Sequence, residues 1–463
     1  MQSALELRCY KEVLRSGLRM VTFIHKKKKP TSFQVIILGF SGVILLGTFL
    51  LMLPAASRAG TWMSFFDALF TATSAVCVTG LVIHDTVSYW SAFGQLVILL
   101  LIQIGGMGVI TVAAAFAMIS GRKISLMQRS TMQEAISAPK VGGIVRLTNF
   151  IVKTTLLIEL VGAAVMAPVF CRDFGFQGLW LALFHSVSAF CNAGFDLMGA
   201  KSPFSSLTGY ASQPFINLAV MALIIVGGIG FLTWDDIRIN RLHFHKYRVQ
   251  SKVILWTTAI LLFAPAVYFY FCEFASLAPG KRILASAFQA VTPRTAGFNT
   301  VDLTNLSEAG QWIIIVLMLI GGSPGSTAGG MKTTTAAVLC ATALSAFRQK
   351  EDTCFFGRRI DDGVVKNAAA ILLMYLALFF SGGLVISIVE GLPMLTCLFE
   401  TASAVGTVGL SLGITPGLGI VSKMILIVLM FFGRVGGLTL IFAAFSGKRN
   451  TASRLPQEKI TVG

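Results

Sequence analysis

Residues 78–81, Val78-Thr79-Gly80-Leu81, decide the fold, because they recur three more times. The later copies read Asn192-Ala193-Gly194-Phe195, Thr295-Ala296-Gly297-Phe298 and Thr407-Val408-Gly409-Leu410. Their glycines are 114, 103 and 112 residues apart. Ahead of each copy runs a moderately apolar segment: Trp62 to Ser74, Leu179 to Phe190, Arg282 to Val291 and Met394 to Ala404. Each is too short to cross a bilayer, which takes about 20 helical residues. A second motif starts 25, 33, 24 and 24 residues after the glycine. It reads Gly105-Gly106-Met107-Gly108-Val109-Ile110-Thr111, then Gly227-Gly228-Ile229-Gly230-Phe231-Leu232-Thr233, then Gly321-Gly322-Ser323-Pro324-Gly325-Ser326-Thr327, then Gly433-Arg434-Val435-Gly436-Gly437-Leu438-Thr439. Two motifs in fixed order, four times over, mark an internal repeat.

The surroundings of these motifs are those of a membrane protein. The 463 residues are 55% hydrophobic and only 12% charged, about half the charge of a soluble domain. Apolar stretches long enough to span fall at about 34–53, 92–119, 149–171, 212–234, 251–272, 310–346 (interrupted), 365–389 and 420–446. The first follows a long, basic, polar segment, which does not read as a secretory leader. The net charge of +17 is distributed by connection. Of 37 Lys and Arg, 29 fall in 1–33, 119–153, 235–252, 332–366 and 447–463. The alternate connections carry only Arg58, Arg172, Lys201, Lys281, Arg282, Arg294 and Lys423. Such alternation follows the positive-inside rule and puts both termini in the cytoplasm. It argues against nucleic acid as the partner of the basic charge. Lys26 to Lys29 then lie beside anionic lipid. The eight cysteines are scattered and form no C-x-x-C pair, so neither a zinc site nor a disulfide framework is indicated.

The expected fold is therefore an all-α polytopic membrane protein of eight transmembrane helices, arranged as four helix–pore-loop–helix repeats around a pseudo-fourfold pore. The divisions are a cytoplasmic segment 1–33, repeat 1 at 34–119, repeat 2 at 149–234, repeat 3 at 251–346, repeat 4 at 365–446 and a cytoplasmic tail 447–463. Non-helical backbone at membrane depth is tolerated where protein or a watery cavity surrounds it. Four loops around one axis meet that condition. Their carbonyls can replace the hydration shell of a cation, glycine permits the backbone angles that aim them inward, and the short helices point negative C-terminal ends at the same place. No metal-binding side chain, covalent cofactor, nucleophile–base pair or carboxylate dyad stands out, so an enzyme is not expected. The glycines of the downstream motif fit close helix packing and pore lining equally.

These motifs resemble the TrkH, KtrB and HKT superfamily of potassium-translocating subunits, over roughly residues 34–446. Eight spans without an extra N-terminal pair resemble the KtrB branch, the membrane subunit of the Ktr potassium uptake system. The resemblance implies that the filter comprises Val78, Thr79, Gly80, Asn192, Ala193, Gly194, Thr295, Ala296, Gly297, Thr407, Val408 and Gly409, with K+ held at their backbone carbonyls. Plant relatives with serine at the first glycine prefer sodium, so glycine at all four positions implies potassium permeation. The absence of a T-V-G-Y-G signature implies looser sites that also pass some Na+. The resemblance further implies a bacterial plasma-membrane homodimer seated on a cytosolic ring of RCK-type subunits that bind adenine nucleotides. The basic residues Arg348, Lys350, Arg358 and Arg359 suit that partner or lipid equally.

Repeat 3 departs from the others. Gly321, Gly322, Ser323, Pro324, Gly325, Ser326, Thr327, Ala328, Gly329, Gly330 and Met331, followed by Lys332, break an apolar segment with a proline and five glycines. The family places an intramembrane gating loop here. A nucleotide P-loop does not fit, because Met331 separates Gly330 from Lys332. Arg434 replaces the second motif glycine and is the one basic residue well inside a span, which makes it a functional candidate. It is expected to cap carbonyls of the 321–331 loop and to form a barrier to cations, or else to serve as a structural cation at a helix end. Asp67, Asp85, Asp196, Asp302, Glu308 and Glu400 are placed to attract cations at the mouth or to cap helices. Glu159 is expected to bond a neighbouring helix, and His243 with His245 make at most a weak metal site. A secondary transporter with broken helices is the main rival class, but its repeats would alternate in orientation, whereas these four run the same way. A sodium-permeable member of the same family is the other.

Overall fold

The structure, a computed structural model, describes residues 31–120, 124–138, 140, 142–199, 202–241, 243–437 and 439. Most of the expected N-terminal segment, the tail 447–463 and residues 440–446 of repeat 4 lie outside the described residues, as do Lys26 to Lys29 and Lys201.

Four helices are long and apolar enough to cross a membrane: α1 (Ser32–Met52), and the first helices of the later repeats, Ile144–Phe174, Val249–Tyr268 (which a π turn extends to Glu273) and Asp362–Glu390. Each presents bulky apolar side chains outward: Leu46 and Phe49 on α1, Leu157 and Leu160, Trp256 and Phe263, Leu373 and Ile388. An apolar exterior of this extent belongs in lipid. Local chemistry sets the helix starts. Thr31 and Gln34 form a reciprocal capping box at α1, and Asp361 caps Asp362–Glu390 through the Gly363 amide.

Within this outer set sit four short helices, α2 (Phe65–Val76), α3 (Gln177–Phe190), α4 (Pro279–Val291) and α5 (Met394–Gly406). They hold much of the core: Phe70, Phe184, Phe190, Phe288 and Phe399 are fully buried. Their apolar length fits neither a span nor a surface helix, and the structure resolves the conflict by placing them at the centre, each ending at one of the repeated glycine segments.

The second helices differ from the single spans expected at 92–119 and 212–234. Ala92–Met107 turns by 95° into the next helix at Gly108 (φ 86°), and Pro214–Gly228 by 96° into Phe231–Asn240 at Gly230 (φ 92°). Ile420–Val435 ends at Gly436 with φ 87°. A left-handed φ ends an α-helix, and only glycine adopts it without strain. The break therefore belongs to every repeat, and repeat 3 lengthens it into a coil between Glu308–Leu319 and Thr333–Phe347. The connection before repeat 2 also contains a helix, Leu126–Ile136, capped by Ser125 with Gln128.

The first motif glycine is a packing residue. A Cβ on Gly105 would stand 2.0 Å from the Val76 carbonyl oxygen, on Gly227 2.1 Å from that of Phe190, and on Gly433 2.3 Å from that of Val405. Each is the end of the pore helix in the same repeat. Gly105→Ala is therefore expected to lower the thermal stability of the detergent-solubilised protein by several degrees. Gly42→Ala, on α1 with nothing within 4 Å, should leave it unchanged or raise it slightly. Equal melting temperatures for the two variants would contradict this assignment.

Candidate functional site: four glycines above a crossing loop

The four recurrent segments meet. A Cβ on Gly80 would lie 2.4 Å from Ala193 O, on Gly194 2.8 Å from Ala296 O, on Gly297 2.3 Å from Val408 O, and on Gly409 2.2 Å from Thr79 O. The order 80, 194, 297, 409 and back to 80 closes a ring with one member from each repeat. All four glycines line one outward cavity of about 790 Å³, together with Asp85, Asp196 and Asp302.

The backbone of the ring is unusual in the same way four times. Val78, Asn192, Thr295 and Thr407 have φ of 56°, 58°, 63° and 51°, and two residues later the glycines have φ of 89°, 69°, 76° and 91°. Between them Thr79, Ala193, Ala296 and Val408 keep the ordinary negative φ and are fully buried. Alternating hand turns successive carbonyls to the same side. Left-handed φ at a β-branched residue is an outlier costing on the order of 1–3 kcal/mol, and such strain collects at functional sites. Here it recurs at three β-branched residues, Val78, Thr295 and Thr407.

Hydroxyls behind the ring hold this geometry, and the sequence reading missed them. Gly80 N donates to Ser74 Oγ at 3.1 Å and Gly409 N to Ser403 Oγ at 3.0 Å. Ser188 Oγ donates to Phe195 O at 2.7 Å and Thr292 Oγ1 to Phe298 O at 2.6 Å. A hydroxyl five or six residues before each glycine was the available signal. The same short helices end at the ring, so their C-terminal carbonyls add partial negative charge, about half an elementary charge per helix.

Below the ring, the 321–331 loop crosses from repeat 2 to repeat 4. Ser323 N donates to Gly228 O at 2.9 Å, Phe231 N to Gly325 O at 2.7 Å and Thr327 Oγ1 to Phe190 O at 3.0 Å. On the other side Gly330 N donates to Gly433 O at 3.1 Å, and a Cβ on Gly329 would meet Thr407 Oγ1 at 2.1 Å. Ser326 Oγ donates to Ser323 O, and Lys332 Nζ to Ala328 O at 2.9 Å and Gly329 O at 3.3 Å, so the loop is tied to itself. Pro324 and Gly325 turn it toward Gly230, and Gly325 also abuts Ile136 O at the end of Leu126–Ile136. Gly321 and Gly322 admit the returning strand: Gly321 N donates to Met331 O and Thr333 N to Gly322 O.

Arg434 reaches further than expected. Its guanidinium donates to Thr327 O of the loop, and also to Gly105 O and, at 3.1 Å, Gly106 O in repeat 1. Asn192 ties ring to loop: its Nδ2 donates to Arg294 O at 3.2 Å, and Thr327 Oγ1 lies 3.4 Å from its Oδ1. Among the acidic candidates, Asp67 pairs with Lys423 at 3.0 Å, which joins repeat 1 to repeat 4. Glu159 accepts from Gln103 at 3.1 Å. Glu400 is buried and hydrogen-bonded rather than presented at the mouth. Among the described residues no group of three His, Cys, Asp or Glu is placed to hold a metal, His243 and His245 included.

A membrane-embedded helical protein whose re-entrant loops converge on one axial ring belongs to the class built for moving ions across the bilayer. Comparison with known proteins gives the particular family. Residues 17–452 match the TrkH family of cation transport proteins, and the chain belongs to that family. It is 39% identical to the potassium/sodium uptake protein NtpJ of Enterococcus hirae, over 94% of this chain and 98% of that one. It is 38% identical to the Ktr system potassium uptake protein B of Bacillus subtilis, over 93% and 96%. The Vibrio alginolyticus protein of the same name is 36% identical, over 94% and 96%. These relatives are uptake proteins, not enzymes. The crystal structure of the potassium transporter TrkH from Vibrio parahaemolyticus shares the fold with a TM-score of 0.70 at 20% identity, over 90% of this chain and 85% of that one.

Proposed function

We propose that this chain is the potassium-translocating membrane subunit of a regulated uptake system, passing K+ through the ring of Gly80, Gly194, Gly297 and Gly409. The observation that carries the reading is the repeated alternation of backbone hand in four segments that close on one another. It offers a dehydrating cation a set of carbonyls with no side chain in the way. The three carboxylates at the outer cavity raise the local cation concentration. The 321–331 loop, with Lys332, and Arg434 form the gate beneath, and their positive charges oppose a cation held there. The repeat boundaries, the cytoplasmic termini and the bacterial plasma membrane belong to the same reading.

The printed names of relatives include both potassium and sodium, and the ring lacks a T-V-G-Y-G frame. A sodium-permeable mode is therefore the second reading. The names of the Ktr relatives support a partner subunit. We assign it as an RCK-type ring that binds adenine nucleotides beneath a homodimer, with Lys26 to Lys29 at anionic lipid. Expression in cells lacking their own potassium uptake is the test: growth at micromolar K+, and K+ uptake with Na+ as competitor. No growth rescue with the chain present in the membrane, alone and with a Ktr regulatory subunit, would overturn the reading.

A further inference from the structure

Three residues before each ring-clamping hydroxyl, one helical turn back on the same face, every pore helix buries a polar side chain: Thr71, His185, Gln289 and Glu400, at 3%, 0%, 0% and 0% exposure. A polar side chain buried in an apolar core costs free energy unless it is hydrogen-bonded. Two of the four bond the strand that leaves the ring. His185 Nδ1 lies 2.7 Å from Leu181 O, which can only accept, so Nδ1 carries the proton and Nε2 accepts the Leu197 amide at 3.3 Å. Glu400 Oε1 accepts the Leu412 amide at 3.1 Å and Ser411 Oγ at 2.6 Å, and Oε2 accepts Thr415 Oγ1 at 2.7 Å. Leu197 and Leu412 both stand three residues past their ring glycine. The other two do not reach. Thr71 Oγ1 bonds Asp67 O in its own helix, and neither polar atom of Gln289 has a hydrogen-bond partner among the described residues.

We infer that His185 and Glu400 are positioning residues that fix the outer edge of ring segments 2 and 4 through the Leu197 and Leu412 amides, adding rigidity along one diagonal to the hydroxyl clamps that all four segments share. This rests on the filter reading above. A ring that favours one cation over a smaller one must resist collapsing onto the smaller ion, and the amide bonds at Leu197 and Leu412 supply that resistance along the diagonal.

The test uses the full chain in uptake-deficient cells, with membrane abundance measured alongside K+ uptake and the K+/Na+ preference. His185→Asn satisfies the helix side but cannot reach the Leu197 amide, whereas His185→Gln restores an acceptor there. Glu400→Leu removes all three bonds, whereas Glu400→Gln keeps an acceptor for Leu412. We expect H185N to lower the K+/Na+ preference about tenfold, the loss of one such bond, and E400L, which loses three, to lower it by at least as much. H185Q and E400Q should stay within about threefold of the parent, and Thr71→Val should leave the preference unchanged. The inference fails if H185N and E400L keep the parental preference while serine at the ring glycines abolishes it. It also fails if the conservative variants lose as much as the disruptive ones. If serine in the ring itself changes nothing, the filter reading has failed instead. Should E400L be missing from the membrane, the H185N and H185Q pair decides.

Discussion

Serine in place of Gly409 or Gly297 is expected to reduce the K+/Na+ preference by at least tenfold and to lower K+ uptake, with Gly80→Ser close behind and Gly194→Ser the mildest. The order follows from space. The added Cβ would stand 2.2 Å from Thr79 O at Gly409, 2.3 Å from Val408 O at Gly297 and 2.4 Å from Ala193 O at Gly80, but 2.8 Å from Ala296 O at Gly194. Each of these oxygens belongs to the neighbouring repeat's ring segment, so relief of the overlap moves a carbonyl of the ring proposed to hold the ion. Conformation adds to the effect. Left-handed backbone costs a side chain about 1–2 kcal/mol, and the glycines at φ 89° and 91° are further from the tolerated left-handed region than Gly194 at 69°. The preceding residues already carry strain, so little reserve remains in the segment. Uptake of K+ with graded Na+, normalised to protein in the membrane, measures both effects. An unaltered preference in all four variants would defeat the assignment of the ring as the filter, and a reversed order would show that packing between repeats is not what fixes the carbonyls.

The parts of this site legible in the sequence are those the repeat duplicates. Four glycines in one frame required four equivalent places, and membrane depth left an axial ring as the place where unpaired backbone is tolerated. What escaped were features that the repeat disguises. Gly108, Gly230 and Gly436 read equally as packing or pore-lining glycines of continuous helices, because apolar residues continue on both sides of them. Their left-handed φ, which bends the chain by more than 90° in repeats 1 and 2, is invisible to hydropathy. Repeat 3 seemed the exception only because its break contains proline. Ser74, Ser188, Thr292 and Ser403 were hidden because hydroxyls are common in short helices and their register shifts by one residue in repeat 3. Long-range partners are harder still. That Arg434 lies at the loop followed from the motif alignment. That it also bonds Gly105 and Gly106 follows only from the ring order, which brings repeat 4 against repeat 1, as the Asp67–Lys423 pair does at the outer side.

That second contact sets what Arg434→Ala is expected to do. The guanidinium spans three carbonyls, Thr327 O on the crossing loop and Gly105 O and Gly106 O at the break in repeat 1. Hydrogen bonds from a charged donor contribute about 1.5–3 kcal/mol each. Losing the one to Thr327 therefore frees the loop by roughly tenfold to a hundredfold in its equilibrium between crossing and displaced positions. Removing the guanidinium also removes the positive charge that opposes a cation in the gate proposed above. Both consequences act in one direction: K+ uptake in the absence of a regulatory subunit should rise by at least tenfold, and activation by that subunit should shrink correspondingly. Arg434→Lys should fall between, because an ammonium keeps the charge but cannot fork across loop and helix end at once. If the residue were only a structural cation at a helix end, alanine would instead lower the abundance and thermal stability of the protein without raising unregulated flux, and lysine would rescue stability. Unregulated uptake and regulator dependence that both stay at the parental level in R434A would remove Arg434 from the gate. A rise in unregulated uptake that R434K fully reverses would assign the effect to charge alone, and one that R434K leaves in place would assign it to the fork that ties the loop of repeat 3 to the break in repeat 1.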